Sequence, residues 1–77
     1  MDGKSLQAEL SSWIIEKLKK AKENTIGRQL LWRLYTVDPG MIPGSTSAAF
    51  SVALKTLLNN GIVEITFINN VKHVKLK

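Results

Sequence analysis

Residues 44–77, GSTSAAFSVALKTLLNNGIVEITFINNVKHVKLK, read as one long helix, a glycine stop, a strand, a two-residue turn and a return strand. The helix is expected over 45–60. Ser45 opens it, because a serine hydroxyl accepts from an otherwise orphan backbone N–H two or three residues on. Gly61 closes it, because glycine enters the left-handed conformation that ends helices. Asn69-Asn70 separates the strands at 62–68 and 71–77, and asparagine tolerates the positive φ of tight hairpin turns. A two-residue turn fixes the register, with Ile68 opposite Val71, Thr66 opposite His73 and Glu64 opposite Lys75. Alternation then puts Val63, Ile65, Phe67, Val74 and Leu76 on the core face. Glu64, Thr66, His73, Lys75 and Lys77 take the outer face, with Ile62, Ile68 and Val71 as further apolar positions there. Lys72 falls near the open tip on the core side.

Working outward from that half, a first helix is expected over 5–22, with Leu6, Leu10, Trp13, Ile14, Leu18 and Ala21 on one face. Glu16 and Lys20 form a favourably ordered i,i+4 pair, and the terminal lysines suit the helix dipole. After a polar break, Asn24 or Thr25 caps a second helix over 26–36. Its buried stripe is expected to be Ile26, Leu30, Leu31, Leu34 and Val37, leaving Arg28, Arg33 and Trp32 elsewhere. Asp38-Pro39-Gly40 ends that helix, since proline lacks a donor and restricts the residue before it. Met41-Ile42 plugs the core from the loop, and a short extended piece pairs with the hairpin either here or at Thr25-Ile26. On the third helix Ala49, Phe50, Ala53, Leu54, Leu57 and Leu58 face inward, and Ser47, Ala48, Ser51, Val52, Lys55, Thr56 and Asn59 face outward.

Composition bounds the function. Seventy-seven residues suffice for one domain, expected over 1–77. With no cysteine and one histidine, His73, there is neither a disulfide nor a thiolate or multi-histidine metal set, so no metal or cofactor is expected. There is no Gly-rich phosphate loop and no carboxylate pair at a plausible catalytic spacing, so no enzyme and no small-molecule substrate is expected. No signal peptide and no spanning run is evident, which points to an intracellular, cytoplasmic protein without a membrane partner. Eleven Lys and Arg against six Asp and Glu give a net charge of +5, which favours polyanions through the summed field and counterion release.

Three helices closed by a hairpin, with Leu57-Leu58-Asn59-Asn60-Gly61-Ile62-Val63-Glu64 leading from the third helix into the first strand, resemble the winged helix-turn-helix superfamily. The resemblance covers about Leu6 to Lys77. It implies an α+β fold, with residues 45–56 in the place of the recognition helix and 68–73 in that of the wing. Two departures stand out. The link at 37–44 is longer than the usual turn, and the third helix carries one charge, Lys55, with no arginine or glutamine to read a base edge.

Two functional readings follow. In the first, the domain binds duplex DNA chiefly through phosphates, as a transcription or replication factor. Ser45, Thr46, Ser47 and Ser51 then meet the backbone at the helix start, Lys55 reaches groove or backbone, and Arg28, Arg33, Lys72, His73 and Lys75 contact flanking phosphates. Plainer roles compete: Ser45–Ser47 as a cap, Lys72 and Lys75 as guards of an exposed strand edge, and His73 as a surface strand residue beside Thr66. In the second reading, Ala48, Val52 and Thr56 form a stripe that docks on a protein partner of a larger nucleic-acid-processing complex, or on a second copy as a homodimer. Trp13 or Trp32 is a candidate anchor for such an interface, although tryptophan in a core-facing stripe is usually core. RNA is a further polyanion of the same charge class, but Tyr35 and Phe67 are expected to be buried, which leaves no stacking platform for single strands.

Overall fold

Local propensity and hydrophobic period set up seven elements. The structure is a computed structural model that describes residues 6–77. It runs α1 (Leu6–Lys20), a 3-10 turn (Lys22–Asn24), β1 (Thr25–Gly27), α2 (Arg28–Thr36), α3 (Ser47–Asn59), β2 (Val63–Ile68) and β3 (Val71–Leu76). Three helices followed by an antiparallel hairpin make an α+β architecture of winged helix-turn-helix type. Ser5, the expected first residue of α1, lies outside the described residues.

The hairpin adopts the expected register throughout, with Ile68 opposite Val71, Thr66 opposite His73 and Glu64 opposite Lys75. Asn69 (φ 53°) and Asn70 (φ 66°) both take the left-handed conformation that a twisted two-residue turn needs. Gly61 ends α3 at φ 72°, as expected of a glycine stop. The short extended piece is Thr25–Gly27, not Met41-Ile42, and it pairs antiparallel with β3 to give the strand order β1-β3-β2. Thus β3 is the middle strand. Lys75 has a strand on either side, so it guards no edge, and Lys72 lies one residue beyond the last pairing with β1, Gly27 with His73.

Leu10, Ile14 and Leu18 of α1 recur every four residues and are fully buried. They meet Phe50, Ala53, Leu54 and Leu57 of α3, Leu31 and Tyr35 of α2, Ile26 of β1, and Val63 and Val74 at the base of the wing. Trp13 and Trp32 pack against this cluster as core aromatics. On the surface of α1, Glu16 pairs with Lys19 at 3.9 Å, one residue short of the expected Lys20.

The stripe of α2 departs from expectation at two positions. Leu30 is 53% exposed and Val37 77%, while Leu31 and Tyr35 are buried and Leu34 packs against the core, as expected. β1 takes up Thr25–Gly27, so the helix starts at Arg28 and its inward stripe runs through Arg28, Leu31, Trp32 and Tyr35. At about 100° per residue, Leu30 falls well outside that stripe. Two further apolar residues are more exposed than expected. Leu58 lies on the last turn of α3, and Phe67 is 65% exposed because the wing runs past the helices that cover Val63.

The long link between α2 and α3 is held by two polar devices. Asp38 Oδ1 accepts from Gly40 N–H at 2.6 Å, and its Oδ2 accepts from the Trp13 indole N–H at 3.1 Å. Lys17 Nζ approaches the same oxygen at 4.0 Å. The second device is a closed circuit: Ile42 N–H donates to the Tyr35 hydroxyl (3.0 Å), Tyr35 to Ser45 Oγ (2.8 Å), and Ser45 to Ile42 O (2.6 Å). Ser45 is therefore engaged in the loop, and the cap of α3 passes to Thr46, whose Oγ1 accepts from Ala49 N–H at 3.1 Å. On the α1 side of the fold neither Asn24 nor Thr25 caps α2. Asn24 has φ 54°, and Thr25 is in β1 with its hydroxyl donating to Glu23 O.

Two tests follow. Phe50→Ala removes the ring on which all three helices converge, at an expected cost of about 3–5 kcal/mol. A domain this small has roughly 5 kcal/mol to lose, so urea titration of the variant should find it largely unfolded without denaturant. The Asp38 carboxyl is held below the usual carboxylate range, first by the Gly40 N–H, then by the Trp13 indole, with Lys17 adding a smaller share. A lowered folded value means its stabilisation is present above the unfolded value near pH 4 and is lost as the pH falls through the folded value. Asp38→Asn should therefore lower Tm at neutral pH, and the gap from the parent protein should close in acid. A gap independent of pH would rule out the ionic contribution.

Candidate nucleic-acid interface

A guanidinium packed into a core edge without a carboxylate beside it is the first unusual feature of the surface. Arg28 opens α2 on the inward stripe, which carries its side chain over α3. Its guanidinium carbon lies 5.4 Å from the centre of the Phe50 ring, and its Nη2 donates to Ser51 Oγ at 2.9 Å. The first contact is a cation–π arrangement, and the second fixes the plane of the fork. Burial lowers the pKa of Arg28, as desolvation does for any cation. Among the described residues no ion pair involves Arg28, Arg33, Lys55 or Lys72.

Arg28 lines three adjoining hollows. One, of about 270 Å³, continues between α2 and the start of α3 past Gln29, Trp32, Arg33 and Ser47. Another, of about 320 Å³, runs under the wing past Ser51, Lys55, Leu58 and Lys72. A third, of about 630 Å³, crosses from Gly27 and Gln29 to Asn70, Lys72 and His73 at the hairpin. All three share Arg28, and the second and third also share Lys72, so the hollows adjoin as a segmented trough from the first turn of α3 to the wing. Four cations and one histidine line it, with no Asp or Glu among the lining residues.

The residues singled out from sequence divide accordingly. Arg28, Arg33, Ser47, Ser51, Lys55, Lys72 and His73 come together around the trough. His73 Nδ1 is 2.7 Å from Val71 O, and because a carbonyl only accepts, this nitrogen carries the proton and leaves Nε2 for other contacts. Thr46 is the helix cap and Ser45 belongs to the Tyr35 circuit. By strand alternation Lys75 shares the sheet face of His73, opposite Lys72, but it lies further from the wing tip and lines none of the three hollows. Ala48, Val52 and Thr56 form the exposed outer stripe of α3, as expected, and the Thr56 hydroxyl donates back to Val52 O at 3.0 Å.

Sequence reasoning passed over Gln29, which lines two of the three hollows. The available signal was its amide beside Arg28, on the helix that precedes the one the winged-helix resemblance assigns to base reading. It also passed over Phe67, because strand alternation assigns a face and says nothing about where cover for that face ends. Among the described residues no group of three or more His, Cys, Asp or Glu side chains is placed to share a metal ion, and no helix is long and apolar enough to cross a membrane. Comparison with protein-family models, with curated proteins and with solved structures gave no match to this chain. The class rests on the architecture alone, a helix bundle and β-hairpin of winged-helix type.

The Arg28–Ser51 contact is exposed, so it should contribute little to the fold. A double-mutant cycle with Arg28→Ala and Ser51→Ala should give a coupling of at most about 1 kcal/mol in urea unfolding. A coupling several times larger would make Arg28 a structural residue rather than one free to meet a ligand.

Proposed function

We propose that this domain binds duplex DNA, with the trough between α2, α3 and the wing lying along the phosphate backbone. The observation that carries the reading is the placement of Arg28, Arg33, Lys55 and Lys72 around adjoining hollows that share Arg28 and that no carboxylate lines. A cluster of unpaired cations repels itself, and a polyanion relieves that repulsion while releasing its own counterions. Arg28 is the best oriented of the four, since Phe50 and Ser51 hold its fork and less freedom is lost when it meets a phosphate. Ser47 and Ser51 add neutral donors along the same wall. Base contacts are sparse: α3 offers serines and one lysine, and the amide nearest the trough is Gln29. The expected mode is therefore backbone-dominated binding with modest sequence preference. A part in transcription or replication belongs to the same proposal. The charge complementarity would serve an RNA backbone as well, so an RNA duplex is a control.

A second reading has its own support. Val52 is 53% exposed at the centre of the outer stripe of α3, and the Thr56 hydroxyl is spent on Val52 O, so the stripe of Ala48, Val52 and Thr56 is uncharged and offers few free polar groups. Such a patch suits docking on a protein partner of a larger assembly.

Fluorescence anisotropy with a mixed-sequence duplex over a salt series tests the first reading. Four cations on phosphates predict a slope of log K against log salt of about −3.6. Arg28→Ala combined with Lys72→Ala should reduce that slope by about 2 units and weaken binding uniformly across sequences. Lys75→Ala, outside all three hollows, should change it least. No detectable binding at low salt would reject DNA as the ligand. Retained partner capture that is lost only in Val52→Glu would favour the docking role.

A further inference from the structure

The wing tip is apolar on both faces. Phe67 is 65% exposed on the sheet face that carries Ile65 and Lys72, and Ile68 and Val71 are exposed on the opposite face, where Val71 also borders the hollow at Gly27 and His73. Val63 at the base of the same strand face is buried, so the exposure begins where the hairpin runs past the helices. The tip is also preorganised: both turn residues, Asn69 and Asn70, sit in the left-handed well that closes the hairpin.

Phe67 stands directly across from Lys72, on the sheet face that Ile65 and Lys72 present to the hollow under the wing, just beyond the residues that line it. In a two-residue hairpin the pair next to the turn, Ile68 and Val71, is hydrogen-bonded, so the following pair, Phe67 and Lys72, is of the non-bonded kind with close side chains. An aromatic face beside a cation, at the end of a carboxylate-free trough, suits a nucleotide: the ring takes the base and the ammonium takes its phosphate. An exposed apolar patch alone would leave the occupant open. The adjoining Lys72, Arg28 and Lys55 select an anionic one.

We propose that Phe67 is a stacking platform for a nucleobase that has left its stack, with Lys72 holding the neighbouring phosphate. This rests on the nucleic-acid reading above and extends it from backbone to base. Such a base has two sources. It is either unpaired in a single strand, or it belongs to a duplex step that the apolar tip, with Ile68 and Val71 behind the ring, opens as a wedge.

The test compares the parent protein, Phe67→Ala and Phe67→Trp on a short single strand and on the blunt duplex of the same sequence. Anisotropy gives affinity, and fluorophores on the two duplex ends report bending by energy transfer. Phe67 is exposed, so both variants should keep the parent Tm. Phe67→Ala should lose roughly five- to hundred-fold in affinity on one of the two ligands, and Phe67→Trp should restore it. Loss confined to the single strand identifies an unpaired base. Loss on the duplex, together with loss of bending, identifies an opened step. Parent-like affinity of Phe67→Ala for both ligands overturns the proposal and leaves the backbone reading standing. So does a parent dimer that Phe67→Ala converts to a monomer with unchanged affinity per chain, since the tip is then a self-association surface. If the parent protein binds neither ligand, both readings fall together.

Discussion

The ring of Phe50 joins the interior of this protein to its surface. Trp13 of α1 meets it edge-on with centroids 6.2 Å apart, Trp32 of α2 meets it at 5.2 Å, and Tyr35 lies tilted at 5.5 Å. The guanidinium of Arg28 also lies over the ring. Aromatic pairs in such geometries contribute beyond the area they bury. In a chain of 77 residues, where the core is small relative to the surface, one ring shared by three helices is a large part of the tertiary order. The same ring positions the cation on which the proposed interface centres. Core and site are therefore not independent, and a change at Phe50 alters both.

The long link between α2 and α3 departs from the short turn usual between paired helices, and the structure shows how it is tied down. Asp38 gathers the Gly40 amide and the Trp13 indole, while the Tyr35 hydroxyl closes a ring of hydrogen bonds through Ser45 and Ile42. Each polar atom in these circuits has a partner, so the buried end of Tyr35 carries little desolvation cost. The tie also sets where α3 begins. Ser45 is consumed in the loop, Thr46 becomes the cap, and Ser47 starts the helix beside Arg33. A loop contact thereby decides which hydroxyl reaches the trough.

How far the sequence could be read differs from element to element. The faces of α1 and α3 were legible, because four-residue spacing of large apolar side chains leaves little choice of orientation. The face of α2 was legible only in part. Ile26, Leu31, Leu34 and Tyr35 pack inward as expected, but Leu30 and Val37 are exposed, because the phase of the helix follows from β1 pairing on β3. That pairing joins residues about fifty positions apart, which no local pattern encodes. Of the candidate site, the cations were visible as residue types. Their convergence was not, nor was the separation of Lys75 from Lys72 by the thickness of the sheet.

What the chain alone determined is local: the hairpin register, the double-asparagine turn, the glycine stop and two of the three helical faces. Each follows from backbone sterics or hydrophobic period within a few residues. The tertiary structure decided the third strand, the phase of α2, the seat of Arg28 on Phe50 and the exposure of Phe67. These depend on where one element ends against another. A helix or strand face is buried only as far as its neighbour reaches, and that reach is a property of the assembled fold rather than of any segment.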